Sequence, residues 1–192
     1  MIEVPGAVAV CFDAPTVEML ETRALGLHPT LRALGPDLLA PAPDLALAFE
    51  RLRHPARSGL TVGEALLDQG ALAGLGNVYR SELLWEALVC PFTPLGRVDD
   101  GVLRRLVDTG ARLLRANRDS PARTTTLDAL GGAPGITGPR RAGERLNVYG
   151  RTGRPCRRCG TLIRSRAYGD LPRRVYWCPR CQPDPGTIAA RA

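Results

Sequence analysis

The chain has 192 residues, 44% of them hydrophobic, and a formal net charge of +7. That length suits one domain of ordinary size or two small ones, and no apolar run approaches the ~20 residues that a membrane helix needs. The opening run MIEVPGAVAVCFDAP has no basic segment ahead of its apolar stretch and already carries Glu3 and Asp13, which argues against a signal peptide and for a reducing, cytoplasmic setting.

Residues 6–12 (GAVAVCF) form a short β-prone run ending at Asp13-Ala14-Pro15, as if closing a sheet whose other strands are absent. From Thr16 to about Pro94 the pattern is helical, broken at His28-Pro29, Pro36, Pro41 and His54-Pro55. A helix starts at Thr61 and presents Val62, Ala65 and Leu66 on one face; Gly70 interrupts, and a tight Gly74-Leu75-Gly76-Asn77 turn follows. The next helix spans about Val78–Leu88. Its period puts Tyr79, Leu83, Leu84, Ala87 and Leu88 inside, and Arg80, Glu82 and Glu86 outside. A third helix covers about Asp100–Ala116, with Val102, Leu103, Leu106, Val107, Leu113 and Leu114 as its apolar stripe. Residues 117–147 are rich in Gly, Pro, Thr and Arg with little period, a length of loop that often marks a functional segment.

The remaining signal is C-x2-C-x18-C-x2-C, formed by Cys156, Cys159, Cys178 and Cys181. The spacing falls in the range of a four-cysteine zinc site, in which two knuckles close one tetrahedron. The segment between them can return as a hairpin, with Thr161-Leu162-Ile163 leading out, a turn near Tyr168-Gly169-Asp170, and Val175-Tyr176-Trp177 leading back. Four sulfurs leave no open coordination position, so one structural Zn2+ is expected; disulfides or redox pairs are the alternatives. Cys11 and Cys90 have no partner spacing and read as small core residues.

All 26 basic residues are arginine. No lysine of this chain can therefore act as a Schiff-base nucleophile, while the guanidinium fork suits phosphate oxygens. A G- and C-rich genome would by itself favour arginine over lysine. Arg157, Arg158, Arg164, Arg166, Arg173, Arg174 and Arg180 surround the expected hairpin, either as phosphate contacts or as a solvated surface. The Gly-x-Gly-Asn turn feeding a helix can hold a phosphate on backbone N–H groups and an amide. It can equally be an ordinary cap with Asn77 as the N-cap residue.

The segments LLDQGALAGLGNVYRSELLW (66–85), VYGRTGRPCRRCG (148–160) and RRVYWCPRCQ (173–182) together resemble the formamidopyrimidine-DNA glycosylase and endonuclease VIII family. VCFDAPTVEML (10–20) with LGPDLL (34–39) looks more like the endonuclease VIII branch. The resemblance implies a mainly α fold with a small β zinc ribbon, that is, a helix–two-turn–helix domain followed by a four-cysteine zinc-finger hairpin. Domains would fall at 1–15 (remnant of an N-terminal β-sandwich), 16–147 (helical, with a flexible loop at about 119–147), 148–182 (zinc finger) and 183–192 (tail).

It also implies a base-excision repair DNA glycosylase and AP lyase acting on oxidised bases. The partner would be double-stranded DNA carrying damaged bases or abasic sites, bound by a monomer near the nucleoid. Asn77 would hold a phosphate beside the lesion, with Gly74 and Gly76 in the same turn, and Arg173 would grip the phosphates flanking the flipped nucleotide. Arg174 has no firm match. Family enzymes open with Met-Pro-Glu, the proline amine being the nucleophile, and a lysine assists. Here residue 2 is Ile2, Glu3 is followed by Val4-Pro5, and there is no lysine. No catalytic residue is thus expected in these 192 residues. The alternatives are a damaged-DNA or abasic-site binder without activity and, more remotely, a zinc-ribbon transcription or translation factor.

Overall fold

The computed structural model describes residues 2–11, 16–119, 123–126, 145–168 and 173–184, which fall into two compact units, Met1–Ala33 and Leu34–Ala192. In the first, strands β1 (Ile2–Val4) and β2 (Ala7–Ala9) pair antiparallel with Glu3 opposite Val8. The apolar run at 6–12 is therefore not a strand without partners, because the residues just before it turn back at Pro5-Gly6 and pair with it. A 3-10 turn (Thr22–Leu27) and the short helix α1 (Pro29–Arg32) follow, and neither buries a residue. Cys11 is exposed, contrary to its reading as a core residue, whereas Cys90 is buried.

The second unit is built on helices with strong local start signals. Helix α2 (Leu45–Leu52) begins where the Asp44 carboxylate accepts from the Leu47 N–H at 2.8 Å. Helix α3 (Val62–Ala65) is a single turn set by a reciprocal cap between Thr61 and Glu64. Helix α4 (Asn77–Glu86) follows the glycine turn. Helix α5 (Asp100–Ala116) is capped by Asp99, which accepts from the N–H groups of Gly101 and Val102.

The core gathers Leu103, Leu106, Val107, Leu113 and Leu114 of α5 with Leu83 and Leu84 of α4, Leu52 of α2 and Leu66, Leu72 and Leu75 between α3 and α4. The α5 stripe is the one read from the sequence, with Val102 at its half-buried margin. A Cβ at Gly110 would lie 3.3 Å from the Leu75 methyl groups, so glycine there lets α5 pack close to the turn that precedes α4.

Three α4 assignments are corrected. Arg80 and Glu82, expected outside, are each only 1% exposed. Leu88, expected inside, lies beyond the helix end with φ 61° and is half exposed. The 3.6-residue period assumes one dry face, but α4 is covered both by α5 and by the cysteine module.

Strands β3 (Arg164–Tyr168) and β4 (Arg173–Trp177) pair antiparallel, Arg164 opposite Trp177 and Tyr168 opposite Arg173. The outgoing strand begins at Arg164 rather than Thr161, because Thr161 closes the first knuckle: its carbonyl accepts from the Cys156 N–H at 2.8 Å. Gly169 and Asp170, expected in the turn, lie outside the described residues, as does most of the loop expected at about 119–147.

Candidate nucleic-acid interface and metal centre

The turn before α4 is shaped by one side chain. The Gln69 amide donates to the Leu75 carbonyl at 2.8 Å and accepts from the Gly74 N–H at 3.0 Å. Gly74 has φ +102°, a left-handed conformation that costs any other residue strain. Gly76 is extended and is the N-cap of α4, and no side chain caps it. Asn77 is therefore the first helical residue and not the cap, which removes the reading of GLGN as an ordinary side-chain-capped start. The first N–H groups of α4 have no intrahelical acceptor, and the helix dipole adds positive potential at this end.

Asn77 instead ties the helix to the cysteine module. Its Nδ2 donates to the Arg174 carbonyl at 3.0 Å, and its Oδ1 accepts from Arg80 Nη2 at 2.5 Å. The same Nη2 approaches the Arg173 carbonyl at 3.4 Å. An arginine can only donate and a carbonyl only accept, so this arrangement fixes which end of the Asn77 amide is oxygen. Asn77 and the backbone of Arg173-Arg174, almost a hundred positions apart in sequence, thus share one site, with Gly74 and Gly76 in the adjoining turn. The Arg173 side chain is exposed.

The other arginines around the strands divide. Arg158 stacks on the Trp85 ring, its Cζ 4.1 Å from the centroid, and donates to the Trp85 carbonyl at 2.9 Å. Arg166 stacks on Phe92 at 3.6 Å, within an aromatic group in which Phe92 meets both Tyr168 and Trp177 edge-on at 5.0 Å. Arg174 donates to Ser165 Oγ at 3.1 Å, and Arg157 donates to the Leu146 carbonyl at 3.3 Å. Among the described residues the side chains of Arg164, Arg173 and Arg180 have no such partner. The charged surface read from the sequence is thus partly scaffold.

The four cysteines converge, with all four sulfurs within 4.8 Å of one another. Cys156 Sγ lies 4.0 Å from Cys181 Sγ, and Cys159 Sγ lies 3.4 Å from Cys178 Sγ. Sulfurs ~2.3 Å from one tetrahedral zinc would be about 3.8 Å apart, so the cluster could hold a metal ion. Trp85 Nε1 and the Arg158 N–H each donate to Cys156 Sγ at 3.4 Å, the kind of outer contact that orients a thiolate ligand. The Thr161 hydroxyl and backbone N–H hold the Cys159 thiol down to about 6, while burial pushes the Cys178 and Cys181 thiols up. Trp85, Val148, Ile163, Cys156 and Cys178 form a second small core. Gln182, fully buried, accepts from the Cys178 N–H and donates to the Val89 carbonyl.

The residue most fully missed by sequence reading is Glu82. Its Oε1 accepts from the N–H groups of Val148 and Tyr149, and its Oε2 from the Asn147 N–H, each at 2.8 Å; Oε2 also accepts from the Thr125 hydroxyl. Asn147 Nδ2 donates to the Thr125 carbonyl at 3.2 Å. One carboxylate therefore gathers Thr125 and residues 147–149, which flank the 127–144 segment. No signal in the sequence marks it, because its donors are three backbone N–H groups and one hydroxyl, all more than forty residues away.

This combination of glycine turn, buried-polar helix and four-thiol module defines a helix–two-turn–helix unit joined to a metal-ribbon-like module. Residues 34–127 match the formamidopyrimidine-DNA glycosylase H2TH domain. The chain is 44% identical over 184 residues to a probable endonuclease 8 2 of Streptomyces coelicolor, covering 92% of this chain and 59% of that protein. It is 47% identical over 151 residues to endonuclease 8 2 of Mycobacterium tuberculosis, covering 78% and 52%. Among solved structures, a complex between Lactococcus lactis Fpg and DNA containing an abasic site superposes with a TM-score of 0.65 at 27% identity, over 86% of this chain and 57% of that one. The matched domain, these relatives and the superposed structure together support assignment of the chain to the formamidopyrimidine-DNA glycosylase and endonuclease VIII family, and the chain spans between half and two thirds of the length of these relatives.

Proposed function

We propose that this chain is the DNA-binding part of a base-excision repair DNA glycosylase and AP lyase of the endonuclease VIII type, acting on duplex DNA with oxidised bases or abasic sites. The observation that carries the reading is the join of Asn77 to the Arg173-Arg174 backbone. It brings an uncapped helix start, an amide and an exposed guanidinium to one place, as a kinked phosphate backbone requires when a nucleotide leaves the stack. Asn77 and Arg173 hold phosphates, and Gly74 and Gly76 keep the turn low enough for the strand to approach. Cys156, Cys159, Cys178 and Cys181 hold one Zn2+. The ion supplies a rigid, coordinatively closed anchor for β3 and β4 and takes no part in the reaction.

Equilibrium binding to a duplex carrying an abasic-site analogue tests this. Arg173→Ala and Asn77→Ala should each weaken binding by about 1–3 kcal/mol. Arg173→Ala should also flatten the dependence of affinity on salt, because one counterion fewer is released; Asn77→Ala should not. Unchanged affinity in both variants would remove these residues from the interface.

A second reading, binding without cleavage, is favoured for these 192 residues by the absence of any lysine among them. Schiff-base chemistry needs an unprotonated amine aimed at C1′, and aiming contributes many orders of magnitude. Borohydride treatment of this polypeptide with abasic-site DNA is expected to yield no covalent adduct above a mock control. An adduct formed at an enzymatic rate would reveal a nucleophile within these 192 residues.

A further inference from the structure

Arg80 is anomalous for a buried cation. Its side chain is almost wholly inside, yet its guanidinium bonds only neutral acceptors, Asn77 Oδ1 and the Arg173 carbonyl, and among the described residues its Nε meets no acceptor at all. Among the described residues no carboxylate hydrogen-bonds it. The charged groups that act on it are Arg173 of β4, which opposes its charge, and Glu64 of α3, which favours it, with the Tyr149 and Tyr168 hydroxyls adding to the favourable side. Burial and Arg173 hold its pKa down to about 10, so at neutral pH it still carries a full positive charge. A buried charge with no counter-ion is costly, and an unsatisfied buried group calls for an explanation.

The position supplies one. The guanidinium lies against the Asn77 amide at the uncapped start of α4, where a phosphate would see the helix dipole, the free N–H groups and this charge together. The low-dielectric surroundings that make the charge expensive also make it act strongly on an anion placed beside it.

We propose that Arg80 is a positioning residue of the phosphate site: it fixes the Asn77 amide and supplies, from inside the fold, the positive charge that a DNA phosphate completes. The inference rests on the DNA-binding reading given above. It assigns Arg80 a sequence-independent role, since a phosphate and not a base would be its counter-ion. It also places two cations of different kinds at the site, an exposed one on Arg173 and a buried one on Arg80.

The experiment is a salt titration of binding to a duplex containing a tetrahydrofuran abasic-site analogue, with wild type, Arg80→Gln, Arg80→Lys and Asn77→Ala. Arg80→Gln should lose about 10-fold or more in affinity at low salt, and the slope of log K against log salt should shrink by up to about 0.9. Arg80→Lys keeps a charge and should keep the wild-type slope at pH 7. Between pH 7 and 10 it should lose affinity relative to wild type, because a buried lysine releases its proton far more readily than arginine. Asn77→Ala, which removes the neutral anchor and no charge, should leave the slope unchanged.

A merely structural Arg80 would lower thermal stability without altering the slope. A folded Arg80→Gln with wild-type slope and affinity overturns the proposal. If Arg80→Gln does not fold, Arg80→Lys decides: an affinity ratio to wild type that is flat from pH 7 to 10 overturns it equally. Failure of wild type itself to bind duplex DNA in a salt-dependent way would instead overturn the DNA-binding reading, so the two failures are distinguishable.

Discussion

At the scale of single residues, the polar groups inside this molecule decide more than their number suggests. Glu82 is surrounded by donors: three backbone N–H groups and one hydroxyl. Removing it strands all of them in a buried place, and each buried donor left alone costs about 1–3 kcal/mol. Glu82→Ala is therefore expected to destabilise the fold by on the order of 3 kcal/mol or more, measured by urea unfolding. Glu82→Gln keeps the volume but turns an NH2 toward donors, and should cost less than Glu82→Ala while still being clearly destabilising. A Glu82→Ala variant as stable as wild type would mean that the Thr125 and 147–149 contacts are dispensable. None of this was legible from the residue itself. Glu82 and Arg80 sit on the polar side of a helical repeat, and only the later chain, folding back over that side, turns a surface position into an interior one. Asn77 stood out in the sequence through the glycine turn before it, but its partners on β4 could not be read from that turn.

Elements differ in the same way. Helix α5 was readable end to end because it is amphipathic in the simple sense: Asp99 caps it, one face carries Leu103, Leu106, Val107, Leu113 and Leu114, and that face alone is buried. Helix α4 was readable in extent but not in facing, since it buries Tyr79 through Trp85 continuously.

The end of α4 is a further case. The Val89 N–H bonds the Leu84 carbonyl at 3.0 Å, and the Leu88 N–H bonds the Trp85 carbonyl at 3.3 Å, the paired closure in which glycine or asparagine normally occupies the left-handed position. Here Leu88 occupies it, half exposed. Leu88→Asn should relieve that conformational cost and raise stability by about 0.5–1 kcal/mol, seen as a higher thermal midpoint. A lower midpoint would show that the Leu88 side chain contributes packing that outweighs the backbone strain.

Over the whole second unit, two cores share one helix. The larger is closed by α2, α5 and the α3–α4 segment; the smaller joins Trp85 to Val148, Ile163 and the cysteines. The cysteine spacing announced the second core in the sequence, but the tryptophan that couples it to α4 did not stand out. That coupling makes metal removal a test of the architecture as well as of the ion. Protein purified without added metal is expected to carry close to one equivalent of zinc, and Cys178→Ser to carry almost none. Stripping the ion should free the knuckles while leaving the larger core, so most helical signal should persist.

Trp85 should report the change, because its indole N–H faces Cys156 Sγ and its ring is covered by Arg158. In a Trp177→Phe background, its emission should shift to longer wavelength on chelation and return on adding zinc. Affinity for abasic-site DNA should fall in parallel, since β4 holds both the carbonyl that orients Asn77 and the exposed Arg173. Helices that melt together with the module would make the two cores one cooperative unit. A metal-free protein with unshifted Trp85 emission and full DNA affinity would mean that the four thiols stay assembled without an ion, and the structural role assigned to zinc would have to be given up.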